Sequence, residues 1–440
     1  MNTFVKLTHQ RIKSIVTDES GTATVLGLLF FAAAAAVGAA AVDYSNIVAA
    51  QTHLQVSADH AAHAALYHRE FNDEQSSKLK AIDVAAYGAP NNRFGTTLDV
   101  NDIQFGKWDY ANRKFTAESG SRSAVMVTTS RLSSKLNSVE SFLFRLVGVT
   151  AFDVRTSAVF TTYRPACFRE GFVAADIVDV QSNNLYGEGF CIHAQNYVSL
   201  NSNNTFESGT VVSMPDSNDL DLPKSGFDTN AGLKEALGQA SYQMRTVNRI
   251  ESIIQSLQDE DPSYLPDYIT EDTVTLNQKQ LDETDFVQGA VHFLNCNGGG
   301  QAFLKDGAHI KQVVFVTNCQ VKFGQGTILE ESIFATTNTG AKSFNAPSSF
   351  QLGRDDDCLV GGGSQMVTMG GMDFAADFKI FGSQLIAKET ISFSANAQGI
   401  KGASIISGDD ISGTSNSNMG FCNGSGMERN FESDYFRLAG

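Results

Sequence analysis

Four histidines lie close together in one short stretch of the chain, and imidazole is a common metal ligand that also changes charge near neutral pH. They are His53, His60, His63 and His68. On a helical wheel they would cover an arc of roughly 140°. The close i,i+3 spacing is limited to His60 and His63, and no HExxH motif is present. We interpret this stretch as a polar helix surface or subunit contact and expect no metal there.

Aspartates offer two further kinds of chemistry. The run Asp355–Asp357 could bind Ca²⁺, but adjacent residues of an extended segment point to opposite faces, which favours a solvated loop. Carboxylate pairs such as Asp176 with Asp179, or Asp373 with Asp377, could cleave a polysaccharide. Their spacing does not distinguish them from exposed turns, and the sequence has no nucleophile elbow, P-loop or dinucleotide fingerprint. We expect no enzymatic activity and no cofactor.

Cysteine usage predicts disulfides. The six cysteines are an even number, and all lie beyond the apolar N-terminal stretch described below, in a segment that would be exported. Six cysteines allow 15 connectivities, and no CxxC motif indicates zinc or redox chemistry. Our first choice pairs neighbours, which closes modest loops: Cys167 with Cys191, Cys296 with Cys319, and Cys358 with Cys422.

Composition limits the class of protein. The 440 residues are 42% hydrophobic and 18% charged, which predicts a folded chain of two or three domains. The net charge of -16 makes nucleic acid an improbable partner, because binding it requires a positive surface.

These side chains must be positioned by a chain organised around one apolar stretch, Thr22–Val42, which contains no charged residue. As a helix it would be roughly 31 Å long, which matches the hydrocarbon core of a bilayer. Lys6, Arg11 and Lys13 precede it, and no Lys or Arg follows until Arg69. The positive-inside bias therefore predicts a single-pass anchor with a cytoplasmic N-terminus.

A cleavable secretory signal is the alternative interpretation. The same basic residues would form its n-region, and Ala39–Ala41 would suit a small-residue cleavage site. We prefer the uncleaved anchor because the helical pattern continues beyond Val42. A stripe at steps of three and four predicts a helix of nearly fifty residues whose outer half packs on a partner surface. The stripe consists of Ile47, Ala50, Leu54, Ala58, Ala61 and Ala65.

The residues of this helix resemble those of a known family. Glu19-Ser-Gly21, an apolar span ending in Ala41-Val42-Asp43-Tyr44, Leu54-Gln55 and Ala58-Asp59-His60-Ala61-Ala62 follow one another in order. Together they resemble the N-terminus of the TadE/TadG-like Flp (tight-adherence) pilus assembly proteins, most closely the TadG-like branch. The resemblance covers about fifty residues and implies a bacterial inner-membrane protein with its bulk in the periplasm.

Two departures refine this resemblance. TadE relatives and true pilins carry a glutamate five residues into the processed helix, whereas the residues after Gly21 contain no carboxylate there. An assembly factor therefore fits better than a major pilus subunit. Some TadG-like proteins carry a von Willebrand A domain, whose metal site needs Asp-x-Ser-x-Ser. The nearest match begins at Asp410, near the chain end, and finishes in threonine, so we expect no such domain.

A small domain follows the apolar span. Leu98–Trp108, Ser123–Thr129 and Ala151–Thr162 have the patterns of strands, and Val139–Val147 that of a short helix. We predict that residues 43–164 form a pilin-like α+β head, in which a small antiparallel sheet covers the long helix.

The remainder is rich in short apolar runs separated by Asn, Gly, Ser and Asp. Units such as Ala308–Val313, Cys319–Phe323 and Thr327–Ile333 favour a parallel β-solenoid, with a β-sandwich as the alternative. Ala231–Leu257 has helical composition and would interrupt the coil. The predicted organisation is therefore a cytoplasmic N-terminus (1–21), a transmembrane helix (22–42), the head (43–164), a first solenoid part (165–230), a helical insertion (231–290) and a second solenoid part (291–440).

We interpret the chain as a membrane-anchored structural protein that assists Flp pilus assembly through contacts with Tad proteins or pilus subunits. Small residues on the anchor could pack against other transmembrane helices at small-xxx-small spacing: Ala34 with Gly38, and Ala35 with Ala39. The alternatives are a secreted or surface carbohydrate-binding adhesin, with envelope polysaccharide as its partner, and a solenoid enzyme that cleaves polysaccharide.

Overall fold

The computed structural model describes residues 20–297, 299–394, 398–413 and 415–440. The predicted cytoplasmic N-terminus lies almost wholly outside them. The chain divides into two compact units, and the second is inserted into the first. The first unit runs to Tyr163 and resumes at Asp434, and the second comprises Arg164–Ser433.

A helix of 50 residues, α1 (Ser20–Arg69), opens the first unit. Its N-terminal part exposes apolar side chains such as Leu29 and Phe31, whereas Leu54, Ala58 and Ala61 are buried. The predicted stripe is confirmed, because Ala50 and Ala65 are buried as well and Ile47 packs against the cluster that contains Ala50 and Leu54. Small alanine side chains allow close approach of the elements that cover this half of the helix.

Two elements cover the outer half of α1. One is helix α2 (Glu74–Gly88), whose N-cap Asp73 accepts a hydrogen bond from the Ser76 amide. The other is an antiparallel sheet. The strands of this unit are β1 (Ile103–Asp109), β2 (Lys114–Ala117), β3 (Ala124–Arg131), β4 (Val139–Glu140), β5 (Ala151–Phe152), β6 (Val154–Tyr163) and β33 (Tyr435–Leu438). The strand order in the sheet is β2-β1-β3-β6-β33.

The structure differs from the sequence prediction at two places in this unit. The predicted helix Val139–Val147 is wrong, because Val139–Glu140 is strand β4 and the helical turn is limited to Phe144–Val147. The chain end also returns here, since Tyr435 pairs with Tyr163 of β6. The sequence pattern assigns these last residues to the second solenoid part (291–440), whereas the structure places Asp434–Gly440 in the first unit.

The second unit is built from parallel strands in two sheets. Its strands are β7 (Gly171–Ala174), β8 (Ile177–Val180), β9 (Leu185–Tyr186), β10 (Cys191–Ala194), β11 (Tyr197–Leu200), β12 (Thr205–Phe206), β13 (Val211–Met214), β14 (Leu237–Gln239), β15 (Val274–Leu276), β16 (Gln280–Leu281), β17 (Val291–Leu294), β18 (Gln301–Leu304), β19 (His309–Lys311), β20 (Val314–Thr317), β21 (Gln320–Lys322), β22 (Ile328–Glu330), β23 (Ile333–Thr336), β24 (Phe344–Ala346), β25 (Gln351–Leu352), β26 (Gln365–Thr368), β27 (Met372–Phe374), β28 (Lys379–Ala387), β29 (Ile391–Phe393), β30 (Gln398–Ser407), β31 (Ile411–Ser412) and β32 (Asn418–Gly420).

The stacking order of these strands is not their order in the chain. From β17 the ladder proceeds through β20, β23, β26 and β28 to β30, and β30 then pairs in parallel with β7. From β7 it continues through β10 and β13 to β14. The first strands of the unit therefore stack on its last ones.

The segment between β14 and β15 connects the two ends of this ladder. It contains α6 (Arg245–Asn248) and α7 (Ile250–Gln258), and α7 buries Ile253 and Leu257 among other residues. The predicted continuous helix Ala231–Leu257 is wrong. Its first residues form only the short α5 (Leu233–Ala236) and strand β14, which pairs with β13. The other short helices are α3 (Asn91–Phe94) and α4 (Ala166–Arg169).

The core of the stack is aromatic and aliphatic. Phe374 lies against Phe378 with ring centroids 4.3 Å apart, and Tyr186 stacks on Phe206 at 4.7 Å. Buried asparagines form a second ladder at a turn, because the backbone N–H of Asn184 donates to Asn204 Oδ1 and the backbone N–H of Asn204 donates to Asn230 Oδ1. These two buried backbone amides are thus satisfied by a side chain of the neighbouring rung.

Candidate functional site

A carboxylate clasp lies directly beyond the apolar stretch. Asp43 is the first residue after Val42, and it is only 1% exposed. One of its oxygens accepts the amide of Phe142 at 2.6 Å, and the other accepts the amides of Leu143 at 3.0 Å and Phe144 at 2.6 Å. The Ser141 hydroxyl donates to the same carboxylate at 3.0 Å. We call these five residues the Asp43 clasp.

The hydrogen bonds of the Asp43 clasp stabilise the ionised form of the Asp43 carboxyl group. Burial acts to raise the pKa of the carboxyl, but the donors of Phe144, Phe142, Ser141 and Leu143 stabilise the charged form more strongly. The pKa of Asp43 therefore lies below its usual value. The carboxylate is ionised at neutral pH and holds the loop amides to the helix.

The loop that reaches Asp43 is the end of a hairpin. Strands β4 and β5 pair antiparallel, with Glu140 opposite Ala151, and the Ser141 amide donates to Thr150 O at 3.0 Å. Gly148 adopts a φ of 94°, which favours glycine at that turn. The Asn46 side chain also donates to Glu140 O at 3.0 Å. Two residues on one stretch of α1 thus fix the hairpin.

In the sequence, Asp43 is recognisable only as part of the family pattern, and its four hydrogen-bond donors are not. The signal was a single carboxylate placed immediately after an apolar stretch, where a charge needs either water or several donors. Its donors are 98 to 101 residues away in the chain, so no local pattern identifies them.

The anchor residues predicted for helix packing lie on the exposed part of α1. Ala34, Ala35 and Gly38 are exposed, and Ala39 is half-buried. A Cβ placed on Gly38 would meet no atom within 4 Å. By length and composition α1 could cross a membrane. This one N-terminal apolar helix is consistent with a single-pass membrane anchor.

The six cysteines form three disulfides, and all lie in the second unit. Cα atoms are 4.9 Å apart for Cys167–Cys191, 5.3 Å for Cys296–Cys319 and 5.6 Å for Cys358–Cys422. These are the neighbour pairs that were our first choice from sequence. The first of them joins α4 to β10.

Three of the four histidines of α1 contact separate partners. His68 Nδ1 lies 3.2 Å from Ser77 Oγ, and the His53 ring faces Phe94. His63 lies edge-on to Phe160. These contacts belong to packing of the helix in its unit.

Several aspartates considered as candidate sites from the sequence form ion pairs with basic side chains of the protein. Asp356 accepts Arg354 Nε at 2.7 Å, and Asp357 pairs with Lys401, so the three adjacent aspartates do not converge. Asp373 pairs with Lys342 at 2.7 Å.

One acidic group was missed because its members are distant in sequence. The carboxylates of Asp176, Asp409 and Asp410 lie within 4.8 Å of one another. They accept hydrogen bonds from Asn196, Thr390 and the Ile177 amide respectively. Burial and the neighbouring carboxylates raise the pKa of Asp410.

A polar groove of about 640 Å³ runs beside the asparagine ladder. Several of its amides already bond to one another across rungs, as in the Asn183 donation to Asn416 Oδ1 at 3.3 Å. Its lining residues are Asn183, Asn184, Leu185, Asn203, Thr205, Gly399, Asn416, Ser417 and Asn418.

Comparison with known proteins identifies two families along the chain. Residues 21–68 match the Tad family of TadE/G-like Flp pilus-assembly proteins, which suggests involvement in Flp pilus assembly. That family is non-enzymatic in general. Residues 171–423 match a family described as a domain of unknown function (DUF7867).

No curated protein and no solved structure matches the chain. The DUF7867 match covers more than half of the sequence, and the TadE/G-like match covers nearly all of α1. The chain therefore belongs to the DUF7867 family and carries that domain behind an N-terminal TadE/G-like pilus-assembly domain.

Proposed function

We propose that this protein is a TadG-like structural factor of the Flp pilus machinery, anchored by one span in a bacterial inner membrane. Its N-terminus is cytoplasmic, and both folded units lie in the periplasm. It acts by contact with Tad proteins or pilus subunits and performs no turnover chemistry.

The division of α1 into two halves carries this proposal. Up to Gly38 the helix exposes apolar side chains, including Phe30 at 67% and Phe31 at 71%. From Ala50 onward the same helix is covered by its own unit. The exposed apolar half of α1 is unfavourable in water but stable in lipid. Because the helix is continuous, the half in the membrane positions the half that packs in the folded unit.

Small residues on the exposed half provide a surface for lateral contact. Ala34 with Gly38, and Ala35 with Ala39, have the spacing that lets two transmembrane helices approach closely. The partner would be the span of another assembly protein or a second copy of this chain.

We further propose that the second unit is a parallel β-solenoid that serves as a rigid platform. The in-register parallel ladder supports this, as do the phenylalanines that contact one another along the core and the three disulfides. A stiff, acidic platform offers a fixed array of side chains to pilus subunits.

Deletion of the gene and complementation with variants would test this function. We expect cells without the protein to lose surface Flp pili, and the full chain to restore them. A chain whose apolar stretch is replaced by a cleavable signal should fold and be exported but fail to restore pili. Normal piliation in the deletion strain would contradict the proposal.

The polar groove favours a second candidate, a carbohydrate-binding adhesin. Asparagine amides are suited to sugar hydroxyls, although those of Asn184 and Asn204 already bond within the ladder. A glycan array with the full chain would detect such binding. Lost binding after Asn203→Leu, with Asn112→Leu as an exposed control in the other unit, would assign it to the groove.

A further inference from the structure

The end of the β4–β5 hairpin carries a cluster of exposed apolar side chains. We call residues 142–149 the apolar tip. Phe142 is 66% exposed, Leu146 85% and Val147 75%. Large apolar groups at such exposure are unfavourable in water and commonly mark a contact surface.

The hairpin advances along α1 toward the apolar stretch. Val139 packs in a cluster with Ala50 and Leu54, and Glu140 O accepts the side chain of Asn46. The amides of residues 142–144 then bind Asp43, which directly follows the stretch. The tip thus lies beside the point at which α1 would leave a bilayer.

The charges of the tip also suit a membrane surface. Between residues 142 and 149 the charged residue is Arg145, which lies 3.6 Å from Glu140 in an exposed pair. An arginine at this level can extend to lipid phosphate while its stem and the neighbouring leucine and valine enter the apolar region.

We propose that the apolar tip inserts into the outer interface of the bilayer that holds the anchor. This inference rests on the proposed membrane anchoring of α1. The tip gives the head a second attachment beside the span, and the Asp43 clasp sets its depth. A helix alone leaves the unit free to tilt relative to the membrane plane, whereas a second inserted point limits that tilt and holds the unit at one orientation to the bilayer surface.

Site-specific fluorescence in liposomes tests the inference. All six cysteines are paired, so one introduced cysteine in the full-length protein accepts a bimane probe. Leu146→Cys reports the tip, and Leu29→Cys reports the span. Leu79→Cys is the matched control, because Leu79 is 51% exposed on α2 near Ser77, which contacts the far end of α1 at His68. Brominated lipids and aqueous iodide serve as quenchers.

We expect lipid quenching at positions 29 and 146, and iodide quenching that is several-fold stronger at position 79. A water-exposed probe at 146 beside a lipid-quenched probe at 29 would overturn the tip insertion and leave the anchoring intact. A water-exposed probe at 29 would overturn both. Protection of 146 in cells but not in liposomes would assign the tip to a protein partner and would also overturn the inference.

Discussion

Asp43 shows how one buried charge can organise a junction. Its carboxylate satisfies three consecutive backbone amides and one hydroxyl, a number of donors that compensates for removal from water. The same residue directly follows the apolar stretch, so the hairpin is joined to α1 at the point where that stretch ends.

The clasp should depend on pH in one direction. The pKa of Asp43 is lowered in the folded protein, so the stabilisation is present above the unfolded value of about 3.9 and is lost as pH falls through the lower folded value. We expect protected amides at Phe142–Phe144 at neutral pH, measured by hydrogen exchange. Asp43→Ala should expose these amides at every pH.

Asp109 provides the control for that experiment, because its hydrogen bonds serve only a local turn. Asp109→Ala should leave the exchange of residues 142–144 unchanged. Slow exchange of these amides in Asp43→Ala would contradict the clasp.

His193 predicts a second pH effect, in the other unit. It is fully buried, with its ring nitrogens 2.9 Å from Ser213 Oγ and Gln195 Oε1, and burial lowers its pKa. As pH falls, His193 therefore binds a proton in the unfolded chain at a pH at which it stays neutral in the folded chain. Stability therefore falls as pH drops below about 6.5.

His193→Gln should weaken this pH dependence, and the exposed His53→Gln should not. Thermal unfolding of the detergent-solubilised chain at several pH values measures both. Burial also lowers the pKa of His292, so this residue accounts for part of the pH dependence that remains in His193→Gln. A pH dependence in His193→Gln as steep as in the parent protein would be inconsistent with the buried neutral imidazole.

At the scale of elements, the helix that begins directly after Gly232 lasts only one turn, because the residues from Leu237 onward join the strand ladder. The φ of Gly232 is 81°, and a Cβ there would lie 2.0 Å from Phe206 O. The chain turns at this residue into the stack, where Leu237 pairs with Val212. Helix propensity is a weak preference that the long-range ladder overrides.

Substitution of two glycines in this segment tests how tightly Gly232 fits into the stack. Gly232→Ala should destabilise the second unit by about 1–3 kcal/mol, because the backbone is strained and the site is closed. Gly238→Ala is the matched control, since its added Cβ meets no atom within 4 Å. Chemical denaturation compares the two variants. Equal stability would refute the role of Gly232.

The exposed half of α1 carries a prediction about association. Gly38→Leu should reduce disulfide-independent crosslinking of the span to its neighbours several-fold, because a large side chain separates two closely packed helices. Ala33→Leu lies on the opposite side of the helical wheel and should leave crosslinking unchanged. Equal yields from the two variants would show that the small-residue face is not used.

Sequence reasoning identified local features more reliably than distant ones. The stripe of α1 follows from its period, and the strands of the small sheet follow from alternation and β-branched residues. The prediction of a helix at Val139–Val147 was wrong for a reason that lies far away in the chain. The backbone amides of residues 142–144 donate to the Asp43 carboxylate and not to carbonyl groups of a helix. The repeated Ser-Asn-Asn at Ser182 and Ser202 was a readable sign of the 20-residue rung and was missed.

At the scale of the whole chain, connectivity is the feature that sequence could not give. The second unit enters after β6 and leaves before β33, and within it β30 stacks on β7. Both relations join residues more than 200 positions apart, and apolar runs of similar length allow many orders of stacking. Periodicity therefore predicts rungs but not their sequence in space.

The central claim is that the apolar stretch stays attached and holds two folded units outside the cytoplasm. Alkaline extraction of cell membranes, followed by intact mass measurement of the retained protein, tests it most directly. We predict that the protein remains in the membrane pellet with residues Thr22–Val42 still present. A soluble protein that begins near Val42 would contradict the account.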